Sequence, residues 1–131
     1  MPAPQTFGAH HLTLTVTDLD RSIEFYTTVV GLSLVTRSAD RALLHDGTLG
    51  VVLTPPGREL SDAERRFDEF RVGLDHLGFR VASPEDVDRA AEHLTAMGID
   101  HSGVKPGRPP GSRLVAFRDP DNIQLEFYYA P

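Results

Sequence analysis

The sequence has no cysteine and no tryptophan, and its only lysine is Lys105, against twelve arginines. The absence of cysteine removes disulfides, thiolate metal sites and a cysteine nucleophile together. Basic residues are also scarce: 13 Lys plus Arg stand against 19 Asp plus Glu, for a formal charge of −6, and no block of one sign occurs. A nucleic-acid or anionic-membrane partner needs a basic stripe, so neither is expected. No apolar run approaches the roughly 18–20 residues of a membrane-spanning helix. The opening M-P-A-P-Q-T-F-G-A-H lacks a basic stretch followed by an apolar one, so no signal peptide is expected and a cytoplasmic location is. What is present is ordinary globular material, 40% apolar and 24% charged over 131 residues. That suits a single domain, or two small lobes sharing a core.

Period-two alternation opens the chain. In H-H-L-T-L-T-V (His10–Val16), Leu12, Leu14 and Val16 alternate with His11, Thr13 and Thr15, the pattern of a half-buried strand. Thr17 can cap a helix, with Asp20 three residues on as in a capping box, and Asp18 marks the helix start. Leu19, Ile23, Tyr26 and Val30 recur at helical spacing and predict its core stripe, with Gly31 as the stop. Three short apolar segments follow at Leu32–Arg37, Arg41–His45 and Leu49–Thr54, separated by turn chemistry that includes Asp46-Gly47. The first half therefore reads strand, helix, strand, strand, strand.

Pro55-Pro56-Gly57 ends that unit, and the charged stretch from Arg58 to Arg71 reads as a connector with a helical turn around Ala63–Phe67. The order then repeats. Gly73–Val81 alternates Leu77, Phe79 and Val81 against His76, Gly78 and Arg80. Ser83 and Asp86 form a capping box with Pro84 at the first helical position; Val87, Ala91 and Leu94 make the stripe and Gly98 closes it. Ile99–Ser102, Arg113–Phe117 and Asn122–Tyr129 complete three more strands, with the Gly- and Pro-rich stretch Lys105–Arg113 as a loop too long for a hairpin turn. His11 and His76 are 65 positions apart, as are Val16 and Val81, which points to an internal duplication. The expected boundaries are module 1 at about 8–56, a connector at 57–72 and module 2 at about 73–131, within one domain spanning 1–131.

Three segments, His10–Leu32, L-D-H-L-G-F-R-V (Leu74–Val81) and F-R-D-P-D-N-I-Q-L-E-F-Y (Phe117–Tyr128), resemble the vicinal oxygen chelate superfamily. That group holds glyoxalase I, extradiol ring-cleaving dioxygenases, fosfomycin-resistance transferases and bleomycin-binding proteins. The resemblance implies an α+β fold: two paired βαβββ modules forming an open, curled mixed sheet around a central cleft. It also implies a divalent metal held by a histidine from the first strand of each module and a glutamate from the last strand, here His11, His76 and Glu126. Homodimers are common in such a family, and the resemblance leaves open whether the two histidines come from one chain or two.

The alternation agrees with that set. His11 shares a face with Thr13 and Thr15; His76 shares one with Gly78 and Arg80; Glu126 shares one with Asn122, Gln124 and Tyr128, opposite Ile123, Leu125 and Phe127. A lone histidine on a strand is ordinarily a surface or hydrogen-bonded residue, so the weight rests on the trio. Strict alternation turns His10 to the other face, where it is structural. Two imidazoles and a carboxylate suit Fe, Mn, Ni, Co or Zn, with sites left for substrate oxygens. Thr13, Arg80, Gln124 and Tyr128 share the polar faces and are the candidate substrate contacts. Glyoxalase I takes a further glutamate from the last strand of its first module; Thr48–Thr54 has no acid, amide or histidine, which disfavours four-ligand chemistry. Two functions follow: a metal-dependent dioxygenase, transferase or lyase acting on a small chelating molecule, or a non-catalytic protein sequestering a drug or natural product.

Overall fold

The computed structural model describes residues 2–131. They form two compact units, divided between residues 59 and 60. Each has one α-helix and a four-stranded mixed sheet built in βαβββ order, so the fold is α+β as expected.

In the first unit β1 (His11–Thr15) leads into α1 (Leu19–Thr28), then β2 (Ser33–Arg37), β3 (Ala42–His45) and β4 (Gly50–Thr54). The sheet order is β1-β4-β3-β2, with β1 parallel to β4 and the other pairs antiparallel. A parallel pair needs a crossover, and the helix together with the β2–β3 hairpin supplies it. Leu14, Val16, Leu44, Val51 and Leu53 are buried beneath the helix, where Tyr26 is fully covered.

Two details of α1 differ from the sequence reading. Its N-cap is Asp18, not Thr17: the Asp18 carboxylate accepts the Arg21 backbone N–H at 3.0 Å, while the Thr17 hydroxyl accepts from the Arg21 guanidinium at 2.9 Å. A carboxylate at this place also meets the positive end of the helix dipole. The buried stripe is Ser22, Phe25, Tyr26 and Val29, leaving Ile23 and Val30 half-buried. Starting the helix after Asp18 places 22, 25, 26 and 29 on the sheet side at spacings of three and four, one step round from the expected stripe.

The second unit repeats the scheme with β5 (Leu77–Arg80), α2 (Pro84–Ala96), β6 (His101–Pro106), β7 (Arg113–Arg118) and β8 (Gln124–Tyr129), in the order β5-β8-β7-β6. The second capping box forms as read: Ser83 Oγ accepts the Asp86 N–H at 3.2 Å and donates to Asp86 Oδ2 at 2.9 Å, with Pro84 in the first turn. Val87 and Leu94 of α2 are fully buried with Val115 and Leu125, and Phe117 stacks on Phe127 at 5.0 Å. The strand after α2 is longer than expected, running to Pro106, and Gly107–Ser112 closes a hairpin. Gly107 N–H donates to Ser112 O at 3.0 Å, and the Ser112 N–H and Oγ both reach Pro109 O. Pro106 fits because it sits at the strand's last residue.

The connector is tied down within this unit. Ala63–Arg65 makes one 3-10 turn, and Phe67 N–H donates to Asp121 O at 2.9 Å. Asn122, at φ +71°, gives its amide to Phe67 O (2.9 Å) and accepts from Arg66 (3.0 Å). Arg118 grips Glu69 through two bonds of 2.9 and 2.7 Å, and that guanidinium pulls the Glu69 carboxyl from 4.5 down to about 2. Among the described residues no helix is long and apolar enough to cross a membrane.

Two outcomes follow. Leu125→Ala should lower unfolding stability by about 2–5 kcal/mol in urea titration, since its side chain is fully enclosed. Glu69 has a depressed folded pKa, so its contribution is complete above about 4.5 and lost as pH falls towards about 2. Hydrogen exchange of residues 61–72 should therefore quicken across that window, and Glu69→Gln should show the fast exchange already at neutral pH.

Candidate metal and substrate face

Strand pairing decides which side chains can meet. In the second unit β5 and β8 run parallel with Leu77 opposite Leu125, Gly78 opposite Glu126 and Arg80 opposite Tyr128. Phe79, Leu125 and Phe127 are buried on the helix side. Gly78, Arg80, Gln124, Glu126 and Tyr128 are therefore on the other face, exposed or half-buried. Gly78 matters here because it has no side chain: a Cβ built on it would lie 3.7 Å from Glu126 Oε2, so the space over that rung belongs to the Glu126 carboxylate.

His76 stands one residue before β5, two positions ahead of Gly78 on the same face. His76 Nε2 lies 3.6 Å from Glu126 Oε1. That is beyond hydrogen-bond range and close to the roughly 3.0–3.4 Å between two donors each about 2.1 Å from one ion. The other ring nitrogen is occupied: His76 Nδ1 is 2.6 Å from Asp75 Oδ1. A carboxylate can only accept, so in the neutral ring Nδ1 carries the proton and Nε2 presents its lone pair towards Glu126. Asp75 is itself held, since the Gln124 amide donates to its Oδ1 at 3.1 Å and its carbonyl at 3.3 Å. Gln124, Asp75, His76 and Glu126 thus form one chain of contacts, matching the carboxylate–histidine–metal arrangement seen wherever an outer carboxylate fixes a ligating imidazole.

In the first unit His11 opens β1 opposite Gly50, with Thr13 opposite Val52. A Cβ on Gly50 would come within 3.3 Å of His11 Cβ, so the two strands approach closely at this rung. His11 is exposed, and its Nδ1 meets His10 Nδ1 at 2.9 Å with the two rings edge to face. In both units, then, the residue before the candidate histidine engages Nδ1 and leaves Nε2 outward. Matching His11 to His76 through the two ladders makes Val52 the counterpart of Glu126. The first unit offers an imidazole and no carboxylate at that rung.

Of the expected site residues, the structure brings His76 and Glu126 together directly, with Gln124 joined to them through Asp75. It places Arg80 and Tyr128 on the next rung of the same face and Thr13, exposed, on the His11 face. Among the described residues no group of three or more His, Asp or Glu side chains is gathered around one point. Gln124, expected to touch substrate, is engaged with Asp75. Asp75 itself was missed; its signal is the acid immediately before His76 in L-D-H-L.

Comparison with known proteins agrees with this architecture. Residues 8–127 match the profile of the Glyoxalase/Bleomycin resistance protein/Dioxygenase superfamily. A manganese-dependent 2,3-dihydroxybiphenyl 1,2-dioxygenase of Geobacillus genomosp. 3 is 30% identical over 123 residues, 91% of this chain. The match spans only 35% of that enzyme's length. A 2-epi-5-epi-valiolone epimerase of Actinomyces sp is 30% identical over 153 residues, covering 98% of this chain and 82% of the epimerase. The crystal structure of a glyoxylase/bleomycin resistance protein/dioxygenase domain from Frankia sp. EAN1pec superposes with a TM-score of 0.78 at 34% identity, over 97% of this chain and all of that one.

The His76 tautomer is directly observable. Once the ring is neutral, long-range 1H–15N correlation should show the proton on Nδ1 and a bare Nε2, and Asp75→Ala should shift the neutral ring towards the Nε2-protonated form. A neutral ring protonated at Nε2 in the unaltered protein would contradict the geometry. With two βαβββ units, histidines at matching strand starts and a family profile covering nearly the whole length, the chain belongs to the glyoxalase/bleomycin resistance protein/dioxygenase superfamily, the vicinal oxygen chelate group.

Proposed function

We propose that this chain is a divalent-metal-dependent enzyme acting on a small oxygenated molecule that chelates the metal, with His11, His76 and Glu126 as the protein ligands. The observation that carries the reading is the His76–Glu126 pair, with an imidazole lone pair and a carboxylate facing one another across the side-chain-free Gly78. The manganese dependence of the Geobacillus relative supports a first-row divalent ion. The two proposed imidazoles and one oxygen donor suit Fe, Mn, Ni, Co or Zn better than calcium, which favours oxygen ligands throughout.

Such an ion, when bound, polarises chelating substrate oxygens and leaves positions open for them. The chain's own residues do the rest. Asp75 keeps the proton on His76 Nδ1 so that Nε2 stays a donor, and Gln124 keeps Asp75 in place. Glu126 supplies the single protein charge, leaving the centre positive enough to attract an ionised chelator. Val52 adds no fourth ligand, so the three-ligand chemistry of dioxygenases and fosfomycin-type transferases is the class assigned, ahead of glyoxalase I chemistry. The two units are read as one domain, and the active species as a homodimer in which the histidines are contributed by one chain or by both.

Metal analysis tests this. Protein purified without chelator should retain close to one transition-metal ion per site. His76→Ala and Glu126→Gln should lose it while remaining folded by circular dichroism. Asp75→Asn should weaken affinity by about 10–100-fold in calorimetric titration with Mn(II). A metal-free protein that binds aromatic compounds equally well in all these variants would establish sequestration instead.

A further inference from the structure

The polar face of the second sheet carries a second chemical feature, one rung beyond Glu126. The ladders place Arg80 opposite Tyr128, Tyr128 opposite Leu114 and Leu114 opposite Lys105. These four side chains therefore form a row across β5, β8, β7 and β6. Most nearby cations in this unit have partners. Arg118 is bound to Glu69, Arg113 reaches Asp88 at 2.7 Å on the helix side, and Arg66 donates to Asn122. Arg80 and Lys105, the chain's sole lysine, are exposed and make no hydrogen bond or ion pair among the described residues. In a chain with a formal charge of −6, two unpartnered cations on one rung stand out from the general balance.

Tyr128 lies in the row between them, and a Cβ on Gly107 would come within 3.3 Å of its Cε2, so the edge of the ring lies close to the backbone there. The Tyr128 hydroxyl makes no hydrogen bond among the described residues. Beside Lys105 lies a cavity of about 320 Å³, whose lining includes Asp100, Ser102, Ala116, Arg118 and Gln124, and Lys105 is the one member of the row that reaches it. That volume is at the lower end for small-ligand sites. One rung is two residues, about 6.6 Å along a strand, so an anion on this row would sit within one small molecule's length of Glu126.

We propose that the Arg80–Tyr128–Lys105 rung is an anion subsite, and that the substrate of the metal centre is a chelator carrying a carboxylate about one ring's width from its metal-binding oxygens. The inference rests on the metal-site reading and narrows its substrate class. Arg80 presents a planar fork to a carboxylate, Lys105 supplies a mobile charge from the cavity side, and Tyr128 donates a hydrogen bond between them.

Calorimetric titration with 3,4-dihydroxybenzoate and with catechol separates the possibilities, because the two probes share a chelating oxygen pair and differ by one carboxylate held across the ring from it. Mn(II)-loaded protein should bind the benzoate at least tenfold more tightly. Arg80→Gln/Lys105→Gln should reduce that preference to less than about threefold while leaving Mn(II) affinity and catechol binding unchanged. The preference should also shrink as salt is raised. Equal binding of the two probes, or a preference that survives in the double variant, overturns the subsite. Failure of the metal reading shows separately as no Mn(II) uptake. The carboxylate preference is then measured on metal-free protein, where its absence again overturns the inference and its loss in the double variant supports it.

Discussion

The parallel pairing of β5 with β8 is the constraint on which the candidate site depends. A crossover through α2 and the β6–β7 hairpin brings the chain's final strand beside the strand that starts the second unit, with Gly78 opposite Glu126. Side-chain alternation then does two things at once. It buries Phe79, Leu125 and Phe127 under the helix, and it holds Glu126, Tyr128 and Arg80 on the opposite face. A slip of one residue in that register would bury the carboxylate and expose the phenylalanines, so the stability of the core and the position of the site are enforced by the same pairing.

The surroundings of His76 show how a half-exposed imidazole acquires a defined role. An exposed histidine on its own interconverts between tautomers and rotamers. Here Asp75 is adjacent in sequence and Gln124 reaches it from the neighbouring strand, so the ring is fixed from its Nδ1 side. His10 engages His11 Nδ1 in the first unit with a different partner chemistry. The two units therefore share the geometry of the outward nitrogen while differing in what holds it. They differ again at the opposite rung, where Val52 stands in place of an acid. Duplication supplied two similar scaffolds, and only the second carries the acidic ligand candidate.

Much of the fold was legible because its signals are local. Alternation in His10–Val16 and Asn122–Tyr129, the Ser83 cap with Pro84, and the Asp46-Gly47 turn each specify structure within a few residues. The errors occurred where local signals compete. Thr17 and Asp18 are both good caps, and choosing between them rotates the buried stripe of α1 from Ile23 and Val30 to Phe25 and Val29. The stretch from Lys105 to Arg113 reads as too long for a hairpin turn, because β6 extending to Pro106 and Ser112 bonding to Pro109 are invisible in sequence. The candidate ligands could be placed on faces by counting. Asp75 could not be assigned to them, since its role depends on a side-chain contact from Gln124, 49 positions away.

The account turns on whether the His76–Glu126 pair and His11 share an ion. Crystals grown with Mn(II) and measured for anomalous scattering test it most directly. The predicted result is one strong peak per site, within about 2.0–2.3 Å of His76 Nε2, a Glu126 oxygen and a His11 Nε2 from the same chain or a second copy. A peak elsewhere, or one bonded to His76 and Glu126 with no His11 in its shell, would contradict the account.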